Sequence, residues 1–222
     1  MSSGGGTRAV LAAFAANLGI AVAKLVAFLI TGASSLLAEA IHSFADSGNQ
    51  GLLLFGGQRA RRRPDAEHPF GYGRERYFWA FVVALVLFSV GGLFAIYEGI
   101  DKLRHPAHLE SPVVAFTVLA VAIALEGLSL RTAVRETAHV KRAGQTYRQF
   151  IRNTRLPELP VVLLEDTAAL TGLVLALAGL VLAETTGEAR YDAVGTVAIG
   201  VLLVFVAVVL AREMKSLLIG ES

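Results

Sequence analysis

Hydrophobic positions in this chain do not alternate with polar ones; they run on. Six stretches of about the twenty helical residues that a bilayer core requires stand between polar joints: residues 10–30, 34–57, 77–100, 112–130, 161–183 and 193–211. The runs are rich in Leu and Ala and lack a period of two, which sets the strands of a membrane barrel aside. The pattern predicts an all-α, polytopic membrane protein with six transmembrane helices. A Ser/Gly-rich segment precedes the first run. Residues 1–9 are therefore expected to be disordered, residues 10–218 to form one transmembrane domain, and residues 219–222 to be a short tail with no cytoplasmic domain behind it.

Composition supports the same class. Of 222 residues, 55% are hydrophobic and 17% charged, against roughly 45–50% and about 25% in a soluble domain. The mean hydropathy is +0.60. A chain without cysteine has no disulfide, thiolate metal site or cysteine nucleophile. The net charge of +2 and a pI near 9.1 reflect basic residues gathered in alternate joints, so membrane lipid and not nucleic acid is the expected partner. With both termini in the cytoplasm, Arg8, the arginines from Arg59 to Arg76, the basic residues from Arg131 to Arg155, Arg212 and Lys215 all lie inside. Lys102, Arg104 and Arg190 then lie outside, and Lys24 falls within the first span. Cytoplasmic termini in a plasma (inner) membrane are the resulting expectation. The joint at residues 132–160 is expected to prolong the fourth helix and to turn near Pro157 and Pro160.

Ionisable residues inside hydrocarbon cost about 2.5–3.5 kcal/mol each, and the second span carries several. At about 100° per residue, Glu39, His42, Asp46, Asn49 and Gln50 share a stripe about 100° wide, with Leu52, Leu53 and Phe55 opposite. His42 and Asp46 stand one turn apart on that face. Imidazole nitrogen with carboxylate oxygen is a ligand pair suited to zinc, cobalt, iron or manganese, and a plain His–Asp hydrogen bond is the competing reading. The fifth span adds Glu165 and Asp166 near its cytoplasmic end. Adjacent helical residues diverge by about 100°, so one is expected to face the ion and the other a proton path or Lys24. Lys24 is expected to pair with an acid such as Glu165. Glu126 is read evenly as a proton relay or as that partner, and Asn17 as an interhelical hydrogen bond. Glu98, Asp101, His105 and His108 are assigned to a solvated outer loop.

Three segments together, AEAIHSFADSGNQGLL in the second span, HPFGYGRERY after it and VVLLEDTAALTG in the fifth, resemble the cation diffusion facilitators, with YDAVGTVAIG near the last span agreeing. These are six-span exporters of divalent metals, and the similarity is to the branch that contains the mitochondrial zinc exporter. The resemblance implies a four-ligand transport site in which His42, Asp46 and Asp166 are ligands. It also implies a donor where this chain has Val162, so Glu165, Asn49 or water would complete the shell. A second metal site after the second span is implied by Asp65 and His68, but Tyr72 stands at the third histidine position. A helix-to-helix turn and positive-inside anchor is the favoured reading of that loop. The resemblance also implies a cytoplasmic dimerising domain, which this sequence lacks: either the sequence is truncated or homodimer formation falls to the membrane helices, with Gly91 and Gly92 permitting close approach.

The expected function is export of a divalent metal, zinc first, in exchange for protons, the metal being substrate and not cofactor. Export of manganese or iron and a non-transporting scaffold or metal sensor are the alternatives. No HExxH, G-x-S-x-G or Walker loop is present to favour an enzyme.

Overall fold

The computed structural model describes residues 3–106, 111–141, 144–153 and 158–219. The described residues are helical throughout apart from short joints, and no strand occurs among them. The helices are α1 (Ser3–Thr31), α2 (Ser34–Arg59), α3 (Glu75–Val86), α4 (Phe94–Arg104), α5 (Pro112–Val140), the short α6 (Tyr147–Asn153), α7 (Glu158–Thr186) and α8 (Arg190–Ile219). A π-helical segment, Leu87–Leu93, joins α3 to α4. The three form one continuous rod, Glu75–Arg104.

Among the described residues, four rods are long and apolar enough to cross a membrane: Glu75–Arg104, Pro112–Val140, Leu159–Thr186 and Arg190–Ile219. The apolar stretch Asn17–Thr31 is part of the 29-residue helix α1. Helix α2 has the length, but its polar stripe lowers its hydropathy. Large apolar side chains such as Leu29, Val113 and Phe205 point outward from the bundle, as they do where lipid is the solvent.

Several expected boundaries shift. α1 is helical from Ser3, within the segment expected to be disordered, because extending an existing helix adds one hydrogen bond per residue fixed. The fourth helix does run on past the bilayer length, to Val140. Pro160 lies in the first turn of α7, where a missing N–H leaves no hydrogen bond unmade. His108, Arg142, Arg155 and Pro157 lie outside the described residues.

Helix α2 sits inside the bundle, touching α1, α3, α7 and α8, while α5 packs on α7 and α1. It enters from a tight turn in which Gly32 adopts a φ of 70°, a left-handed conformation that favours glycine. Leu53 of α2, placed opposite the polar stripe, is buried in the core with Ala80, Val83 and Ala84 of α3. The first turn of α2 has no side-chain cap of its own. Asp192 of α8 supplies one: its Oδ2 accepts the Ser34 N–H at 2.7 Å and the Ser34 hydroxyl at 2.9 Å, and its Oδ1 accepts the Ser35 hydroxyl. The carboxylate also suits the positive end of the α2 dipole.

Glycines bring α8 close to its neighbours. A Cβ on Gly92 would stand 2.7 Å from Val204 Cγ2, and one on Gly91 would stand 3.1 Å from Leu203 Cδ1. Gly91 and Gly92, expected to serve a second copy of the chain, are thus spent on α8 of the same chain. The reason is packing: only a missing side chain lets the backbones meet. Gly195 does the same towards α7, facing the Leu175 carbonyl.

A Cβ on Gly200 would lie 2.7 Å from the Ile96 backbone nitrogen and 2.9 Å from the Gly92 carbonyl, atoms that cannot rotate away. Gly200→Ala is expected to destabilise the bundle by about 1–3 kcal/mol, seen as a lower thermal unfolding midpoint in detergent. Gly127→Ala, where nothing lies within 4 Å, should leave that midpoint unchanged or raise it slightly.

Candidate metal cradle

The five polar residues of the α2 stripe all turn into the bundle, as their spacing requires. Glu39, His42 and Asn49 are buried, and Asp46 and Gln50 are partly so. Below them lies a cavity of about 20 Å³, lined by Asn17 of α1, by Ser43, Asp46 and Gln50 of α2, by Glu126 of α5 and by Val162, Glu165 and Asp166 of α7. About 10–15 Å³ of such volume holds one water, whereas organic ligands take pockets of about 300–1,000 Å³. The space therefore fits an ion or a water, and four carboxylates line it.

Glu165 and Asp166 diverge as adjacent helical residues must. Glu165 turns towards α2, where Asn49 Nδ2 donates to its Oε1 at 2.8 Å. Asp166 turns towards α5 and accepts the Ser129 hydroxyl at 2.9 Å. Both line the cavity, so the expected division of one acid to the ion and the other to Lys24 does not hold. Lys24 instead pairs with Glu39, Nζ to Oε2 at 3.0 Å, and donates to Ser43 at 2.8 Å. Lys24 and Glu39 meet because α1 and α2 form an antiparallel pair around the Gly32 turn. Glu126 lies on the cavity wall and is not the lysine's partner.

His42 Nε2 stands 3.5 Å from Asp46 Oδ2. The distance is close but the geometry makes no hydrogen bond, since neither ring nitrogen of His42 has a partner. Asp46 Oδ1 and Asn49 Oδ1 are also buried without partners. Buried polar atoms are ordinarily paired, so these atoms are unspent, and nitrogen with carboxylate oxygen is a chemistry that suits zinc and its neighbours. Among the described residues, no three His, Asp or Glu side chains stand close enough to hold one ion together. Val162 also lines the cavity, so the missing fourth donor is a real apolar surface there.

The loop between α2 and α3 stands apart from this cavity. It does bring Asp65, His68 and Tyr72 together, with the His68 and Tyr72 rings 4.2 Å apart. The Asp65 oxygens are taken by the loop itself, accepting the His68 N–H at 2.7 Å, the Glu67 N–H at 3.1 Å and the Tyr72 hydroxyl. That saturation matches a turn and not a metal site. The Tyr72 hydroxyl, followed by the His68 amide, holds the Asp65 carboxyl below its ordinary value, and the same bond raises the Tyr72 phenol. At the far end of the α3–α4 rod, His105 and Asp101 are exposed and 3.4 Å apart, in keeping with a solvated loop.

Three polar partners of this network carry little signal in the sequence. Ser43 lies one turn beyond Glu39 and would have joined the stripe had serine been counted as polar. Ser129 lies three residues beyond Glu126, on the same helical face. Asp192 resembles an ordinary first-turn acid of its own helix, and nothing local signals that it caps another.

Residues 10–219 match the cation efflux transmembrane domain. With this helical bundle and its buried polar seam, the chain belongs to the cation efflux family, the cation diffusion facilitators, and is a multi-pass membrane protein. It is 38% identical over 200 residues to the mitochondrial proton-coupled zinc antiporter SLC30A9 of Xenopus laevis, covering 90% of this chain and 36% of that one. It is 36% identical over 200 residues to the Homo sapiens protein of the same name, covering 90% and 35%. It is 33% identical over 216 residues to metal tolerance protein C4 of Arabidopsis thaliana, covering 97% and 47%. The chain thus spans between about a third and a half of the length of these relatives. Two of them are named as mitochondrial, where the sequence alone suggested a plasma (inner) membrane.

Because Asp65 is held below its ordinary value in the folded loop, its contribution is present at neutral pH. It is lost as pH falls through the lowered value. Acidification, or Asp65→Ala at neutral pH, is expected to reduce the hydrogen-exchange protection of the Glu67 and His68 amides. Unchanged protection in the variant would mean the carboxylate does not hold the turn.

Proposed function

We propose that this chain is a secondary transporter that exports a divalent cation, zinc first, from the cytoplasm in exchange for protons, and that it is not an enzyme. The observation that carries this reading is the ion-sized cavity lined by Asp46, Glu126, Glu165 and Asp166, beside a buried His42 whose ring nitrogens are both unpartnered. The names of the Xenopus and human relatives, proton-coupled zinc antiporters, support zinc and protons as the exchanged pair. Six spans with both termini in the cytoplasm complete the topology, supported by the positive-inside distribution of Lys and Arg.

In this reading the transport site consists of His42 and Asp46 from α2 and Asp166 from α7, with Glu165, Asn49 or water as the remaining ligand. Asp46, Glu165 and Asp166 line one cavity, with His42 3.5 Å from Asp46, but the donors do not yet converge. Gripping the ion requires α2 and α7 to approach, and releasing it requires them to part, as alternating access demands. A ligating imidazole must be neutral. Protons arriving from the outer side therefore compete with the metal for the same groups and help to eject it. Asn49 orients Glu165, and Ser129 orients Asp166. Manganese or iron in place of zinc would use the same groups. The apolar wall at Val162 is the one feature that favours a non-transporting metal sensor.

Asp46→Ala in the full chain, reconstituted into proteoliposomes, is expected to abolish zinc uptake while the purified protein still elutes as a single folded species. Dissipating the proton gradient should slow the unsubstituted protein. Zinc uptake by Asp46→Ala at the rate of the unsubstituted protein would refute the site assignment.

A further inference from the structure

Above the cavity the polar seam of α2 does not end. Ser43, which lines the cavity, accepts a hydrogen bond from Lys24, and Lys24 in turn holds Glu39 Oε2. Lys24 and Glu39 are both wholly buried. The second oxygen of Glu39, Oε1, has no partner, and one turn further along α2 neither nitrogen of His42 has one. The unpartnered oxygen stands against the bare backbone of α7 at Gly172, where an added Cβ would come within 2.5 Å of it. A carboxylate in so dry a place needs a counter-cation, and an orphaned acceptor there is costly. One oxygen is thus neutralised by a tethered ammonium, and the other is unpartnered and packed into the place that a Cβ on Gly172 would take.

We propose that Glu39 is a further metal-accepting residue of the transport path. A divalent cation leaving the Asp46 cavity passes to the Glu39 carboxylate and the His42 imidazole, and it displaces the Lys24 ammonium that holds Glu39 between passages. This inference rests on the transport reading above. Exchange is favourable in charge, because the arriving ion carries two positive charges to the ammonium's one. Lys24 is not stranded by it: its flexible stem keeps Ser43 as an acceptor. A station of two donors also binds more weakly than a full cradle, which suits a step that must let the ion go. Return of Lys24 to Glu39 then expels the ion and resets the pair.

The test measures zinc transport by the full chain in proteoliposomes, alongside equilibrium zinc binding. Glu39→Gln is expected to lower the maximal rate about tenfold while the half-saturating zinc concentration stays within about twofold. Lys24→Met combined with Glu39→Gln removes both charges at once, leaves no buried ion unpaired, and should show the same loss. A combined variant that transports at the rate of the unsubstituted protein would show that the pair only braces α1 against α2, and the proposal would be overturned. Because the chain contains no native cysteine, Glu39→Cys adds a readout independent of any loss of stability. A softer thiolate donor at this station should raise the ratio of cadmium to zinc transport, and an unchanged ratio would also overturn the proposal. Asp46→Asn run in parallel separates the two levels. Full activity in Asp46→Asn defeats the transport-site reading, whereas its inactivity beside unimpaired Glu39 variants defeats only the Glu39 station.

Discussion

The middle of this bundle is packed with apolar side chains, so a polar group on α2 is costly to bury unless a neighbouring helix answers it. The rest of the architecture follows from that constraint. Lys24 of α1 answers Glu39, Glu165 of α7 answers Asn49, and Asp192 of α8 answers the opening N–H and hydroxyls of α2. Each partner must come within about 3 Å, which draws the helices closer than ordinary side chains allow. Gly172 of α7 leaves room for Glu39 of α2, and glycines at 92, 195 and 200 bring α8 equally close to its own neighbours. Breaking a buried pair by removing one member typically costs about 3–5 kcal/mol, so the polar seam also locks the helices that surround it.

What separates the candidate site from the scaffold is not residue type but whether a polar atom is already spent. Asp65 and Asp192 are carboxylates with full sets of N–H and O–H partners, and each fixes a turn or a helix end. Asp46, His42 and Asn49 keep buried atoms without partners beside an ion-sized space. A residue list drawn from sequence treats Asp65 and Asp46 alike. Their hydrogen bonds distinguish them, because a carboxylate that already accepts three donors has little left for a cation.

Much of this was legible in the residues. The helical period placed all of the α2 stripe on one face, and the divergence of Glu165 from Asp166 followed from adjacency alone. Partners across helices were not legible. Lys24 could have met any nearby acid, and the choice of Glu39 over Glu165 depends on how far α1 and α2 slide along one another after the Gly32 turn. Gly91 and Gly92 advertised a close contact without saying with which surface, and α8 of the same chain took it. Asp192 lies 158 residues from the helix end it caps, so no local pattern connects the two.

The order of apolar and polar residues was enough to settle the helical class, the membrane setting and the inward face of α2, since each depends on periods within one segment. Pairing, cavity size and the spent or unspent state of each donor emerged only when the helices packed. Those properties depend on distances of about an ångström between segments far apart in the chain, and a one-dimensional pattern carries no such distance.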